Sequence, residues 1–211
     1  MTYRLYYSPG TASLAVHWML IELGVPFETV SLDFEAGDQR SPAYLKLNPM
    51  GRVPTLLIDG EAYAESGALM MLLAERHPGA GLAPAPGDPQ RARWIELIVH
   101  LANNVQPAMR DWFYADKDGE PEGAEAVRAL ARRRIEAAWP RLAERFADGR
   151  AFLFGETPGA ADFLAAMLMR WSRNMPHPAS EQPALAAYLA RMAALPSYRE
   201  LCRRDGIAPW P

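Results

Sequence analysis

Aromatic, charged and aliphatic residues alternate along Tyr3 to Tyr7 in a stretch rich in strand formers, which predicts a first β-strand. The pattern changes after the loop Ser8-Pro9-Gly10-Thr11. From Ser13 onward apolar residues occupy nearly every side of a helical period, through Leu14, Val16, Trp18, Met19, Leu20, Ile21 and Leu23, and Gly24 with Pro26 beyond it ends the run. A helix that apolar is expected to be packed on most sides. Phe27 to Leu32 predicts a second strand, and Ser41-Pro42 a short helix ending near Leu47. Thr55 to Ile58 reads as an apolar strand, Asp59-Gly60 as the positive-φ pair of a two-residue hairpin, and Glu61 to Ala64 as the returning strand. Ser66 is then placed to cap a helix with Leu69, Leu72 and Leu73 at helical spacing. The order β-α-β-α-β-β-α fits a small mixed sheet flanked by helices.

Between His77 and Pro89, thirteen positions hold four prolines and three glycines, so no helix continues through them. This predicts a linker over 77–88 between a first domain at 1–76 and a second at 89–211. The second shows helical periodicity throughout. One helix is expected from Pro89, with Asp88 as its cap, to about Ala115, bent by Pro107. Others are expected from about Gly123 to Asp148, from Ala160 to Arg173, from Gln182 to Ala194 and from Ser197 to Arg204. At the start of the third, Gly159 stands three positions before Asp162, where a hydroxyl residue would complete a capping box. Asp162 is expected to be a folding determinant.

Composition narrows the class. The 211 residues are 50% hydrophobic and 22% charged, the mixture of a globular chain with a real core. A net charge of −3 argues against a nucleic-acid surface, and the one dense basic run, Arg132-Arg133-Arg134, reads as a solvated helix face. The longest apolar runs fall short of the roughly 18 residues of a membrane span, and the N-terminus lacks a signal pattern, so a cytoplasmic location is expected. Cys202 is the single cysteine, and His17, His77, His100 and His177 show no ligand spacing, so no metal is expected.

The densest motif is Asn48 to Ser66: Asn-Pro-Met-Gly-Arg-Val-Pro, an apolar strand, a turn, then Glu-Ser. Val53-Pro54 is an X-Pro bond, the setting in which a cis peptide is cheap, and Glu65-Ser66 opens a helix whose N-terminus favours an anion. In this order and spacing the stretch resembles the glutathione-binding half of a glutathione transferase, most like the bacterial beta-type sequences. The resemblance implies a thioredoxin-like α/β domain that binds glutathione as co-substrate, followed by an all-α domain, with a small electrophile as second substrate, in a homodimer. It also implies that Val53, before the cis Pro54, offers its backbone to the cysteinyl part of glutathione, and that Glu65 and Ser66 hold the γ-glutamyl carboxylate.

Such an enzyme must make a thiol of pKa about 8.5 into a thiolate at neutral pH, which a hydroxyl donor or a helix N-terminus accomplishes. The family draws that donor from the loop after the first strand. Here Ala12 stands where the beta-type cysteine would be, so a mixed disulfide at that position is excluded. Ser13, then Thr11, then Ser8 are the candidate donors; Tyr6 or Tyr7 is the alternative, although a tyrosine inside a strand is more often a packing residue. Glu28 to Gln39 has no Lys or Arg and four acids, leaving Arg40 and Arg52 as candidates for the glycine carboxylate and predicting weak, salt-dependent glutathione binding. Asn103, Gln106, Met109, Trp112 and Phe113 along the long helix are candidates for the second-substrate cleft. The resulting expectation is a glutathione transferase acting on mostly apolar electrophiles. Glutathione-dependent isomerisation, dehalogenation or peroxide reduction, and a non-catalytic interaction module with the same fold, remain alternatives.

Overall fold

The computed structural model describes residues 1–210. They form two compact units, Met1–Ala83 with Ala193 onward, and Pro84–Met192. The first unit holds a four-stranded sheet of β1 (Tyr3–Tyr7), β2 (Phe27–Ser31), β3 (Thr55–Ile58) and β4 (Glu61–Ala64), in the order β2-β1-β3-β4. β1 and β2 are parallel, and the β1–β3 and β3–β4 pairs are antiparallel. Its helices are α1 (Leu14–Leu23), α2 (Pro42–Leu45) and α3 (Ser66–Arg76). This is the thioredoxin-like arrangement, a mixed sheet in which the parallel β1–α1–β2 unit is followed by a hairpin. The Asp59-Gly60 turn has φ of 51° and 91°, and the Asp59 carboxylate accepts the Thr2 amide at 2.7 Å, tying the turn to the start of β1.

In α1 every residue from Leu14 to Leu20 is buried, as its all-round apolar pattern requires, and Gly24 closes it in the left-handed conformation at φ 63°. Part of that burial comes from the far end of the chain. α10 (Pro196–Asp205) belongs to the first unit and packs on α1. Trp18 Nε1 donates to Ser197 Oγ at 2.9 Å, and His17 Nδ1 lies 2.8 Å from Asp205 Oδ1 with both side chains fully buried. Trp210 stacks on Tyr198 at 5.0 Å and its amide donates to the Tyr198 hydroxyl, so this tail is anchored on its own unit.

The second unit contains α4 (Arg91–His100), α5 (Gln106–Asp118), α6 (Ala124–Glu136), α7 (Ala138–Ala143), α8 (Ala160–Trp171) and most of α9 (Pro183–Ala194). The expected helix from Pro89 starts at Arg91 instead, with Asp88 Oδ1 accepting the Gln90 amide at 2.7 Å. It runs on to Asp118 but passes through one π-helical stretch, Leu101–Val105, directly before Pro107. Proline cannot donate to the carbonyl one turn back and its ring crowds that carbonyl, so the helix widens there. Pro140 lies in α7 after the break at Ala137, and the expected single helix over 123–148 is accordingly α6, α7 and a 3₁₀ turn at Glu144–Phe146. α8 is buried almost end to end. At its start the Asp162 carboxylate, 1% exposed, accepts Leu153 N at 2.9 Å and Gly159 N at 2.8 Å. Burial pushes its pKa up to about 6, against these hydrogen bonds that lower it.

Candidate active site

The register of the sheet gathers the motif residues at one end. Tyr6 pairs with Thr55, and Thr55 with Ala64, so the chain leaving β1, the chain entering β3 and the chain leaving β4 lie side by side. Ser8 to Ser13, Arg52 to Pro54 and Glu65-Ser66 are therefore neighbours. A direct contact joins two of them, since Ser66 Oγ donates to the Ala12 carbonyl at 3.1 Å. Val53–Pro54 is cis, as the motif predicts.

Glu65 has φ 71° and ψ 110°, outside the regions a non-glycine residue ordinarily occupies, and it is the residue before the first turn of α3. Ser66 is consequently the first residue of α3 rather than its cap, and its hydroxyl faces the first loop. The Glu65 carboxylate is exposed and makes no hydrogen bond or ion pair among the described residues. An unpaired carboxylate beside an eleven-residue helix N-terminus presents a negative and a positive end together, the arrangement that suits an amino acid zwitterion.

In the first loop two hydroxyls share one carbonyl. Thr11 Oγ1 donates to Ser8 O at 2.7 Å, Ser13 Oγ lies 3.1 Å from the same oxygen and 2.9 Å from Thr11 Oγ1, and Ser8 N donates to Ser13 Oγ at 3.3 Å. Ser13 is fully buried, whereas Thr11 and Ser8 are partly exposed. Ser13 makes no side-chain cap to α1, contrary to the simplest reading of a serine at a helix start. Tyr7 is a packing residue: its ring meets His17 edge-on at 5.1 Å, and burial above all pushes its pKa up.

Arg40 and Arg52 are exposed and have no carboxylate partner among the described residues. The acids between them and β2 are less available than their number suggests. Glu28 pairs with Arg4 at 2.7 Å, Asp33 Oδ1 accepts the amides of Glu35 and Ala36, and Asp38 Oδ2 accepts Asp33 N. Two of the four are thus turn builders whose oxygens serve their own backbone.

In the second unit, Asn103 and Phe113 are exposed, Gln106 and Trp112 half-buried, and Met109 fully buried. Phe113 packs edge-on against Trp171 at 6.4 Å. Met109 is a buried residue of α5, a helix that packs on α6 and α8. Among the described residues no three His, Cys, Asp or Glu side chains are placed to hold a metal, and no helix is long and apolar enough to cross a membrane.

The first unit is thus a thioredoxin-like sheet with a cis X-Pro loop and a Glu-Ser pair at the start of α3 gathered at one end. Residues 1–75 match the family model of the glutathione S-transferase N-terminal domain, and residues 125–191 that of the C-terminal domain. A glutathione S-transferase of Xanthomonas campestris is 29% identical over 97% of this chain and 99% of its own length. A maleylacetoacetate isomerase of Rhizobium meliloti is 32% identical over 92% of each chain. Among solved structures, a glutathione transferase homologue from Sulfitobacter with bound glutathione superposes with a TM-score of 0.87 at 27% identity, covering 98% of this chain and 99% of that one. A beta-class enzyme of Sphingomonas chungbukensis does so at 0.81 and 29%, over 97% and 100%. The chain belongs to the glutathione transferase family. With that membership come glutathione transferase function and glutathione as co-substrate.

Proposed function

We propose that this protein attaches the glutathione sulfur to small, mostly apolar electrophiles, with residues 1–76 binding glutathione and residues 89–211, beyond a linker at 77–88, supplying contacts to the second substrate. The observation that carries the reading is the grouping of the first loop, the Val53 backbone and Glu65-Ser66 at one sheet end. Glu65 takes the γ-glutamyl ammonium, and the N-terminus of α3 at Ser66 takes its carboxylate. The Val53 backbone, with Pro54, holds the cysteinyl unit, and Arg40 and Arg52 attract the glycine carboxylate.

Thr11 is the group that donates to the sulfur. Its hydroxyl is partly exposed at the start of α1, and Ser13 can either keep the Ser8 carbonyl or donate to Thr11 Oγ1. With glutathione bound, the Thr11 hydrogen turns from the Ser8 carbonyl, which it otherwise bonds at 2.7 Å, to the sulfur; Ser8 N–H to Ser13 Oγ, Ser13 O–H to Thr11 Oγ1 and Thr11 O–H to sulfur then form a directed chain in which each bond polarises the next. Ser13 is thereby a positioning residue and Ser8 the anchor of the loop. The thiolate then attacks the electrophilic carbon; a C–S bond forms, and the leaving group departs with its electron pair or, in a conjugate addition, the carbonyl receives it. Binding in the reactive geometry and stabilisation of the anion carry the rate. Asn103, Gln106, Trp112 and Phe113 are the second-substrate contacts. We place the enzyme in the cytoplasm as a homodimer; Ile95 and Val99, exposed one turn apart on α4, support an apolar contact between copies.

Glutathione-dependent isomerisation is a second reading, favoured by the Rhizobium isomerase relative. The test is turnover of glutathione with an activated aryl halide, an α,β-unsaturated carbonyl and a cis-configured enone acid, with products identified by mass. Conjugates support transfer, an isomerised enone acid without conjugate supports the second reading, and tight glutathione binding with no product from any of the three contradicts both.

A further inference from the structure

Three buried polar side chains converge on the backbone just before Val53. Tyr44 Oη lies 2.5 Å from the Arg52 carbonyl and 2.8 Å from Thr55 Oγ1. Asn48 Nδ2 donates to the same carbonyl at 2.8 Å and to Thr55 Oγ1 at 3.1 Å, and Asn48 Oδ1 accepts Met50 N at 3.1 Å. The three are 3%, 5% and 0% exposed. Their hydrogens can be assigned without conflict. The Tyr44 hydrogen goes to Arg52 O, the Thr55 hydrogen to Tyr44 Oη, and the two Asn48 amide hydrogens to Arg52 O and Thr55 Oγ1. Burial above all pushes the Tyr44 pKa up, so that proton stays in place.

A buried polar set of this kind adds little stability over well-packed apolar side chains, because each group must first leave water. What it does supply is a defined position for the backbone it grips. The Tyr44 ring packs with Leu32 and Val53, and Tyr6 meets it at 5.6 Å, so its hydroxyl is presented to the Arg52 carbonyl from a buried ring. The clamp spans α2, the loop after it and β3, and it closes on the residue preceding Val53.

We propose that Tyr44 and Asn48, with Thr55 linking them, are positioning residues for glutathione: by fixing the Arg52 carbonyl they fix the Val53 backbone that receives the cysteinyl unit. The inference rests on the reading of Val53 as a glutathione contact. Each of the three spends its polar atoms inside the clamp, so its effect on glutathione passes through the backbone.

The test compares wild type with Tyr44→Phe, Thr55→Val and Thr55→Ser, measuring glutathione Kd by calorimetry, KM and kcat with an activated aryl halide, and thermal stability. Tyr44→Phe and Thr55→Val are expected to raise Kd and KM for glutathione about ten-fold, the scale of one buried hydrogen bond, with kcat at saturating glutathione affected far less. Thr55→Ser, which keeps the hydroxyl, is expected to restore KM. A role in stability alone would lower the melting temperature and leave the Kd of the folded protein unchanged, and that result overturns the proposal. A wild type that binds no glutathione overturns the reading of Val53 together with the clamp, whereas wild-type binding with unaltered variants overturns the clamp alone.

Discussion

Replacing Asp162 by alanine tests whether this carboxylate is structural. Its two oxygens accept Leu153 N at 2.9 Å and Gly159 N at 2.8 Å in a site 1% exposed, so the substitution strands two backbone donors. An unsatisfied buried donor costs about 1–3 kcal/mol, so the pair should cost about 4 kcal/mol. Gly159 offers no side chain to compensate. For a domain of 150–250 residues that is a fall in melting temperature of about 8–16 °C. The cost also depends on pH, with a definite sign. The Asp162 pKa is raised from 3.8 to about 6, so its protonation stabilises the fold below the unfolded value and this contribution is lost as pH rises through the folded one. At pH 5 on the order of 1 kcal/mol of it remains by linkage, and by pH 8 almost none. The gap between wild type and Asp162→Ala should therefore be wider at pH 5 than at pH 8 in denaturant unfolding. An unchanged midpoint accompanied by lost turnover would refute the structural role, and a gap that widened with pH would refute the sign.

Asp205→Ala leaves His17 facing an uncompensated buried site and loosens α10 from α1, which should cost about 3 kcal/mol in denaturant unfolding, most of it recovered in a double variant with His17→Leu. Gly51→Ala should destabilise by about 1–3 kcal/mol, because Gly51 has φ 60° and an added Cβ would stand 3.0 Å from the Gln39 carbonyl oxygen; circular dichroism melts measure it. Glutathione affinity should fall as salt rises from 0.05 to about 0.5 M, and the double variant Arg40→Ala, Arg52→Ala should flatten that dependence in calorimetry, both guanidinium groups being exposed.

Strands and the hairpin were legible because alternation and the Asp59-Gly60 turn are local signals, and the cis Val53–Pro54 bond followed from its motif. Helix interruptions were only partly so: Pro107 marked a bend, yet whether a proline kinks, widens or ends a helix depends on its packing, and Leu101–Val105 became π-helical. The environment of α1 was not legible. An all-round apolar pattern says that a helix is covered, and it cannot say that Ser197 and Asp205, some 180 residues away, do part of the covering. In the site, residue types carried the grouping but not the roles. Ser66 sits inside α3 because Glu65 adopts a positive φ that nothing in a Glu-Ser pair announces. Ser13 turned inward because Ser8 and Thr11 supply it with partners, a short-range competition that spacing does not reveal. Met109 fell on the buried side of α5, where one residue of register separates a core position from a surface one.

The most direct test of the central claim, that this chain holds glutathione as a thiolate through its first loop, is the ultraviolet thiolate absorbance of bound glutathione titrated against pH. Wild type should titrate well below the free-thiol value of about 8.5. Thr11→Val should return it most of the way, Ser13→Ala part of the way, and Thr11→Ser hardly at all. Bound glutathione that titrates in wild type at the free-thiol value would contradict the account.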